Sequence, residues 1–165
     1  MVLLDYILLS VVLILGLLGL KKGFLESLGS IFGIVIATIV ASRFYPNIAS
    51  WFGDSNFTNI IAFLMIFSLT VKLVSLLFWG LGKIFQLITV LPFISHFDKL
   101  LGLILGLVEG ILILSVVLNF FLKFPLNEWM ITQMGASVIA GVLLKIGFVF
   151  IPLFPEALKT LKSFM

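Results

Sequence analysis

The chain has 165 residues, 62% of them hydrophobic and 10% charged, with a formal net charge of +3 at pH 7. A soluble domain carries about 25% charged residues because its surface has to face water, and ten basic plus seven acidic side chains cannot cover a chain of this size. With a mean hydropathy of +1.37, the composition excludes a soluble globular domain and predicts an all-α integral membrane protein whose main partner is the lipid bilayer.

A spanning helix needs roughly 20 mainly apolar residues, since about 30 Å of hydrocarbon is covered at about 1.5 Å per residue. The first such run is 3–20, ended by Lys21-Lys22-Gly23. A cleaved signal peptide would put its positive charge first; here Asp5 comes first and the lysines follow. Asp5 reads as a cap, because a carboxylate at a helix N-terminus meets free N–H groups and the positive dipole end. The second span is 25–41, stopped by Arg43 and the turn Tyr45-Pro46-Asn47. A loop follows at 49–59, with Trp51 at the interface.

The third span is 60–82, interrupted by Lys72. Residues 83–91 read as a helical continuation or an amphipathic piece at the interface, ending before Pro92. His96 reads as a loop residue. Asp98 stands ready to cap the fourth span, 100–121, which Lys123 and Pro125 end. Residues 1–123 thus form a four-span membrane domain and 124–165 a tail. In the tail, 134–151 is apolar enough to span. Gln133, Ser137, Gly141 and Lys145 recur every four residues, which suits an amphipathic interfacial helix. The positive-inside rule favours a fifth span, because a recrossing tail puts Lys159 and Lys162 with Lys21, Lys22, Lys83 and Lys99. The reading taken is four spans plus a surface helix, with a fifth span as its alternative.

Two stripes of small residues recur at a spacing of four: Gly29, Gly33, Ala37 and Ala41 on span two, and Gly102, Gly106 and Gly110 on span four. Lipid offers little hydrophobic drive between helices, so small residues that let backbones approach mark packing faces. Gly16 and Gly19 add small positions on span one. Within the spans, Lys72 lies 11 residues before Lys83 and Glu109 lies 11 residues after Asp98, so both sit about 16 Å from the same face. An intramembrane charge needs a partner or water. If spans three and four are antiparallel neighbours, Lys72 and Glu109 form an ion pair; an ion or proton pathway through them is the functional alternative.

No motif for a hydrolase, a zinc protease, a P-loop or a dinucleotide fold is present. The expectation is a non-catalytic protein with no cofactor and no metal. With no Cys there is no thiolate site, and the few scattered positive charges do not suit nucleic acid.

Taken together, Asp5, the "KKGF" at Lys21–Phe24 and "DKLLGLILGLVEGILI" from Asp98 to Ile113 resemble the colicin V production protein family (CvpA). The likeness runs to about residue 123, and the third motif is the most specific. The motif positions are Asp5, Gly23, Phe24, Asp98, Gly102, Gly106 and Gly110. Glu109 departs from the pattern, since related sequences often carry a basic residue there. The resemblance implies a multi-pass protein of the bacterial inner (plasma) membrane, needed for production or export of the toxin colicin V, with roles in biofilm formation and envelope homeostasis and no defined biochemical activity. Its implied partners are a second copy of itself or an export or envelope membrane protein. The rival reading is a small ion or amphiphile transporter that uses Lys72 and Glu109, and a third is a scaffold that assembles through its glycine faces.

Overall fold

The computed structural model describes residues 2–53, 55–88 and 94–149. All the elements in it are helices: α1 (Leu3–Lys22), α2 (Phe24–Ala49), a 3₁₀ turn (Ser50–Phe52), α3 (Asn56–Ile88), α4 (Ile94–Lys123), α5 (Glu128–Ala136) and α6 (Val138–Gly147). Four of them, α1 to α4, are long and apolar enough to cross a membrane. On α1 the side chains of Tyr6, Leu13, Ile14 and Leu17 are exposed. In water such a surface would drive association; in hydrocarbon it is the solvated face.

The helices do not pack in chain order. α1 lies against α4, α2 against α3, and α4 against α2, whereas α3 and α4 come close at few positions, chiefly where Phe63 stacks on Phe120. The bundle therefore reads α1–α4–α2–α3 across the membrane. Small residues cause this order. A Cβ on Gly19 would overlap the Gly102 carbonyl oxygen, and one on Gly106 would sit 2.6 Å from the Leu15 oxygen. The α1–α4 backbones can meet this closely only because both stripes lack side chains. On the other side, Gly33 faces Val71 and Val74, Gly29 faces the Phe78 ring, and Ala37 and Ala41 are fully buried.

Where the end of α2 and the end of α4 meet the start of α3, aromatic rings from all three helices fill the space. Phe63 stacks on Phe120 with centroids 3.8 Å apart, and Tyr45 meets Phe120 edge-on at 5.1 Å. Lys123 reaches back to donate to the Tyr45 hydroxyl at 3.2 Å. Hydroxyls in the spans are returned to the preceding turn, as with Thr38 to the Ile34 carbonyl and Ser115 to that of Ile111, both at 2.7 Å. In lipid no water is there to take them.

Several boundaries differ from expectation. α2 continues through Pro46 to Ala49 instead of stopping at the Tyr-Pro-Asn turn. Pro46 removes only one backbone bond close to the helix end, where little helix is left to break. The expected 49–59 loop shrinks accordingly: Ser50–Phe52 extends the helix as a 3₁₀ turn, Gly53 takes φ +100° and α3 starts at Asn56. Trp51 is exposed, as an interfacial ring should be. Residues 83–88 continue α3, and His96 lies in the first turn of α4, not in a loop. Pro92 falls outside the described residues.

The tail is not one continuous helix. α5 and α6 meet at 92° around Ser137, whose extended backbone ends one helix and caps the next. In the α1–α4 register, Gly19 lies beside Gly102 and Gly110 beside Val12, which sets Asp5 level with the 115–119 stretch. The start of α6 is bonded to Asp5, and its end, Gly147, sits against Ser115 and Asn119. Both ends of α6 thus meet the same end of the α1–α4 pair, and the helix runs across that pair. Residues 150–165, including Ile151, Lys159 and Lys162, lie outside the described residues.

Candidate functional site

Gly23 is the hinge that builds the polar centre. Its φ of +80° is a conformation that a side chain resists, and the space its Cβ would fill is taken by the Asp98 carboxylate. That carboxylate accepts the Phe24 N–H at 2.9 Å. Asp98 therefore caps α2 from the first turns of α4; it does not cap its own helix, which already began at Ile94. The cap locks the end of α1 beside α4. Lys22, in the last turn of α1, sends its ammonium inward, while Lys21 stays exposed.

Lys22 Nζ donates to the Glu109 carboxylate at 2.9 and 3.2 Å, and Glu109 is 2% exposed. The ion pair of Glu109 is thus with Lys22, and the expected Lys72–Glu109 pair is not formed. The physical reason is topological: α2 stands between α3 and α4 over this stretch, so these two helices, consecutive in sequence, do not bring Lys72 to Glu109. From Lys22 the polar chain continues. The ammonium reaches Ser30 Oγ at 3.5 Å, Ser30 donates to Ser75 Oγ at 3.1 Å, and Ser75 donates to the Glu26 carbonyl at 3.4 Å. A buried pair must satisfy its remaining protons to hold together in low dielectric; Ser30 accepts from the ammonium, and Ser75 in turn accepts the Ser30 proton.

This chain lines one end of a groove with a volume of about 440 Å³, walled by α3 and α4 and closed at its polar end by Glu26 and Ser30 of α2 and Lys22 of α1. Its polar end carries Lys22, Glu26, Ser30, Lys72 and Ser75; its other end is built from Leu64, Phe67, Val71, Ile113 and Val117. Ser68, Lys72 and Leu76 recur every four residues on the exposed rim of α3. Lys72 has no ion-pair or hydrogen-bond partner among the described residues.

At the opposite end of α1, Asp5 is fully buried. It accepts the Val2 N–H at 2.8 Å, the Ser137 hydroxyl, and the Ile139 N–H at 3.1 Å. Asp5 caps its own helix, as its position predicts, and also the start of α6. The motif residues Asp5, Gly23, Phe24, Asp98, Gly102, Gly106 and Gly110 all lie where α1 and α4 meet each other or dock a neighbouring helix. Among the described residues no three acidic or imidazole side chains converge as a metal site. The chemistry available is hydrogen bonding and charge.

Lys22, Glu26, Ser30 and Ser75 escaped the sequence reading. Lys22 counted only as a loop charge. The serines follow no catalytic spacing, and the one available signal was that Ser30 lies within the small-residue stripe of α2.

Three curated proteins are similar to the chain. A Colicin V production protein homolog of Haemophilus influenzae is 28% identical over 131 residues, covering 76% of this chain and 78% of its own. The uncharacterised transmembrane protein YshB of Bacillus subtilis is 26% identical over 162 residues, covering 86% and 89%. The Colicin V production protein of Escherichia coli K12 is 28% identical over 127 residues, covering 75% and 76%. No solved structure matches. The family model described as Colicin V production protein matches residues 4–147, and the chain belongs to that family.

Proposed function

We propose that this protein is a non-catalytic accessory protein of the bacterial inner membrane. It supports production or export of a peptide toxin of the colicin V kind and, more broadly, biofilm formation and envelope homeostasis. The observation that carries this reading is the family match over residues 4–147. A rigid multi-pass body suits the role. The glycine faces are used up inside the subunit, and the outward faces of α1 and α3 are left for lipid, a second copy, or an export or envelope membrane protein. The test is complementation. In an Escherichia coli K12 strain lacking its own Colicin V production protein and carrying the toxin genes, expression of this chain restores toxin release. A chain that inserts at normal levels yet restores no release would overturn the reading.

The groove favours one second reading, a small ion or amphiphile transporter working past Lys72 and Glu109. Its polar chain ends on the Glu26 backbone carbonyl, which holds no exchangeable proton, so a proton relay along those serines is disfavoured. Flux through liposomes that disappears in Glu109→Gln would support transport; equal flux in the mutant, or none in either, would remove it.

A further inference from the structure

Lys72 lies 11 residues before Lys83, the charged end of the third span, so it sits about 16 Å inside the membrane, halfway through about 30 Å of hydrocarbon. It is exposed on the outward rim of α3, with Ser68 and Leu76 one turn away on either side. No ion-pair or hydrogen-bond partner reaches it among the described residues. A charge in the middle of a span needs a counter-charge or water. Toward the bilayer centre its neighbours in the groove are Leu64, Phe67, Val71, Ile113 and Val117, whose side chains offer water no hydrogen bond. Headgroups lie half a bilayer away. The counter-charge therefore has to arrive from the side, on another span.

Lys22, Glu26, Lys72 and Glu109 sum to zero around the groove, but they do not share a depth. Glu109 is held by Lys22 at 2.9 Å. Glu26 stands only three residues past the Gly23 hinge, about 5 Å along α2 and close to the membrane surface. The α2–α3 register keeps it from Lys72. Gly33 faces Val71 and Val74 and so is level with Lys72, and Glu26 lies seven residues from Gly33, about 10 Å away along the axis. Each side chain leans toward the start of its own helix, and in this antiparallel pair those starts are at opposite ends. The other described acids are no nearer: Asp5 is bound at the start of α6, Asp98 by the Phe24 N–H, and Glu128 begins α5. Asp54 and Glu156 lie outside the described residues. A second copy in the same orientation brings the same described carboxylates at the same depths and offers Lys72 none of them. We infer that the rim of α3 at Ser68, Lys72 and Leu76 docks a transmembrane helix of a different protein, one with an unpaired Asp or Glu at mid-span. Apolar side chains of that helix fill the groove beside Phe67 and Val117.

A partner of this kind deepens the accessory role proposed above and rests on it. The probe is a synthetic spanning peptide of about 20 Leu and Ala residues with one Glu at its centre, titrated in liposomes against the full-length protein. Binding is read by energy transfer from a dye on the peptide to one on a Cys introduced at the exposed Ala136, since the chain has no Cys of its own. Wild type is expected to bind this peptide about tenfold tighter than one with Leu at its centre, the effect of one hydrogen bond to a charged group. Lys72→Met loses that preference. Lys83→Met keeps it, because that ammonium sits over the Trp79 ring at 4.4 Å, outside the groove. Lys72→Glu turns the preference toward a peptide with Lys at its centre, which also shows that a variant at this position is folded. Equal binding of the Glu-centred and Leu-centred peptides by wild type would overturn the inference, as would a preference that survives in Lys72→Met. Self-association of wild type that excludes the peptide and is lost in Lys72→Met would overturn it too, because the occupant would then be a second copy. Failed toxin release with the peptide preference intact removes the export role alone; restored release with no preference removes this docking site alone.

Discussion

Removing the Asp5 carboxylate tests how α6 is attached. Two of its hydrogen bonds cross between elements, from the Ser137 hydroxyl and from the Ile139 N–H at 3.1 Å. The Ser137 oxygen accepts from Ala140 N–H at 2.9 Å, so its proton is free to donate to Asp5. A hydrogen bond to a charged group is worth about 1.5–3 kcal/mol, and its donor, once left buried, costs more. In Asp5→Ala the two cross-bonds together represent about 3–6 kcal/mol; since Ser137 keeps its cap on α6, the lower end, about 3 kcal/mol, is the expected loss. At about 1.4 kcal/mol per factor of ten, local opening of α6 becomes about a hundredfold more frequent. Amide hydrogen exchange in nanodiscs, followed by mass spectrometry, reads this directly: the 138–147 segment exchanges about a hundredfold faster, while the α2–α3 segments around Phe63 keep their protection. Asp5→Asn, which retains one acceptor oxygen, falls between. Unchanged exchange over 138–147, or a uniform rise across all helices, would refute the idea that Asp5 is the specific tether.

Further tests follow from the same geometry. Gly19→Ala and Gly106→Ala push a Cβ into backbone of the facing helix and lower stability in detergent by about 1–3 kcal/mol, whereas Gly141→Ala, with nothing within 4 Å of its Cβ, leaves the melting temperature unchanged; equal effects would refute the α1–α4 register. In double-mutant cycles, Lys22→Met and Glu109→Gln couple by about 1–3 kcal/mol, while Lys72→Met and Glu109→Gln add within about 0.5 kcal/mol; the reverse result would restore the Lys72–Glu109 pair. Asp98→Ala removes the cap on Phe24 and costs about 1 kcal/mol, with faster amide exchange confined to the first turn of α2, and Gly23→Ala is worse because strain at φ +80° is added to the loss of the Asp98 position.

Much of this architecture is readable from residue order alone, because the solvent imposes it. Hydrocarbon demands about 20 apolar residues per crossing, so the four long helices and their charged ends follow from hydropathy, and the early acid, the basic-Gly-Phe hinge and the glycine run point to the family. The cap on α1 is local chemistry and is equally legible at Asp5. What tertiary structure alone decides is adjacency. In lipid no hydrophobic force draws consecutive helices together; the neighbours are those whose bare backbone faces fit. Gly16 and Gly19 find Gly102 and Gly106 across more than 80 residues of chain, and α2 is thereby placed between α3 and α4. That single rearrangement gives Glu109 to Lys22 in place of Lys72, turns Asp98 from a cap on its own helix into a cap on α2, and opens the groove that leaves Lys72 facing lipid.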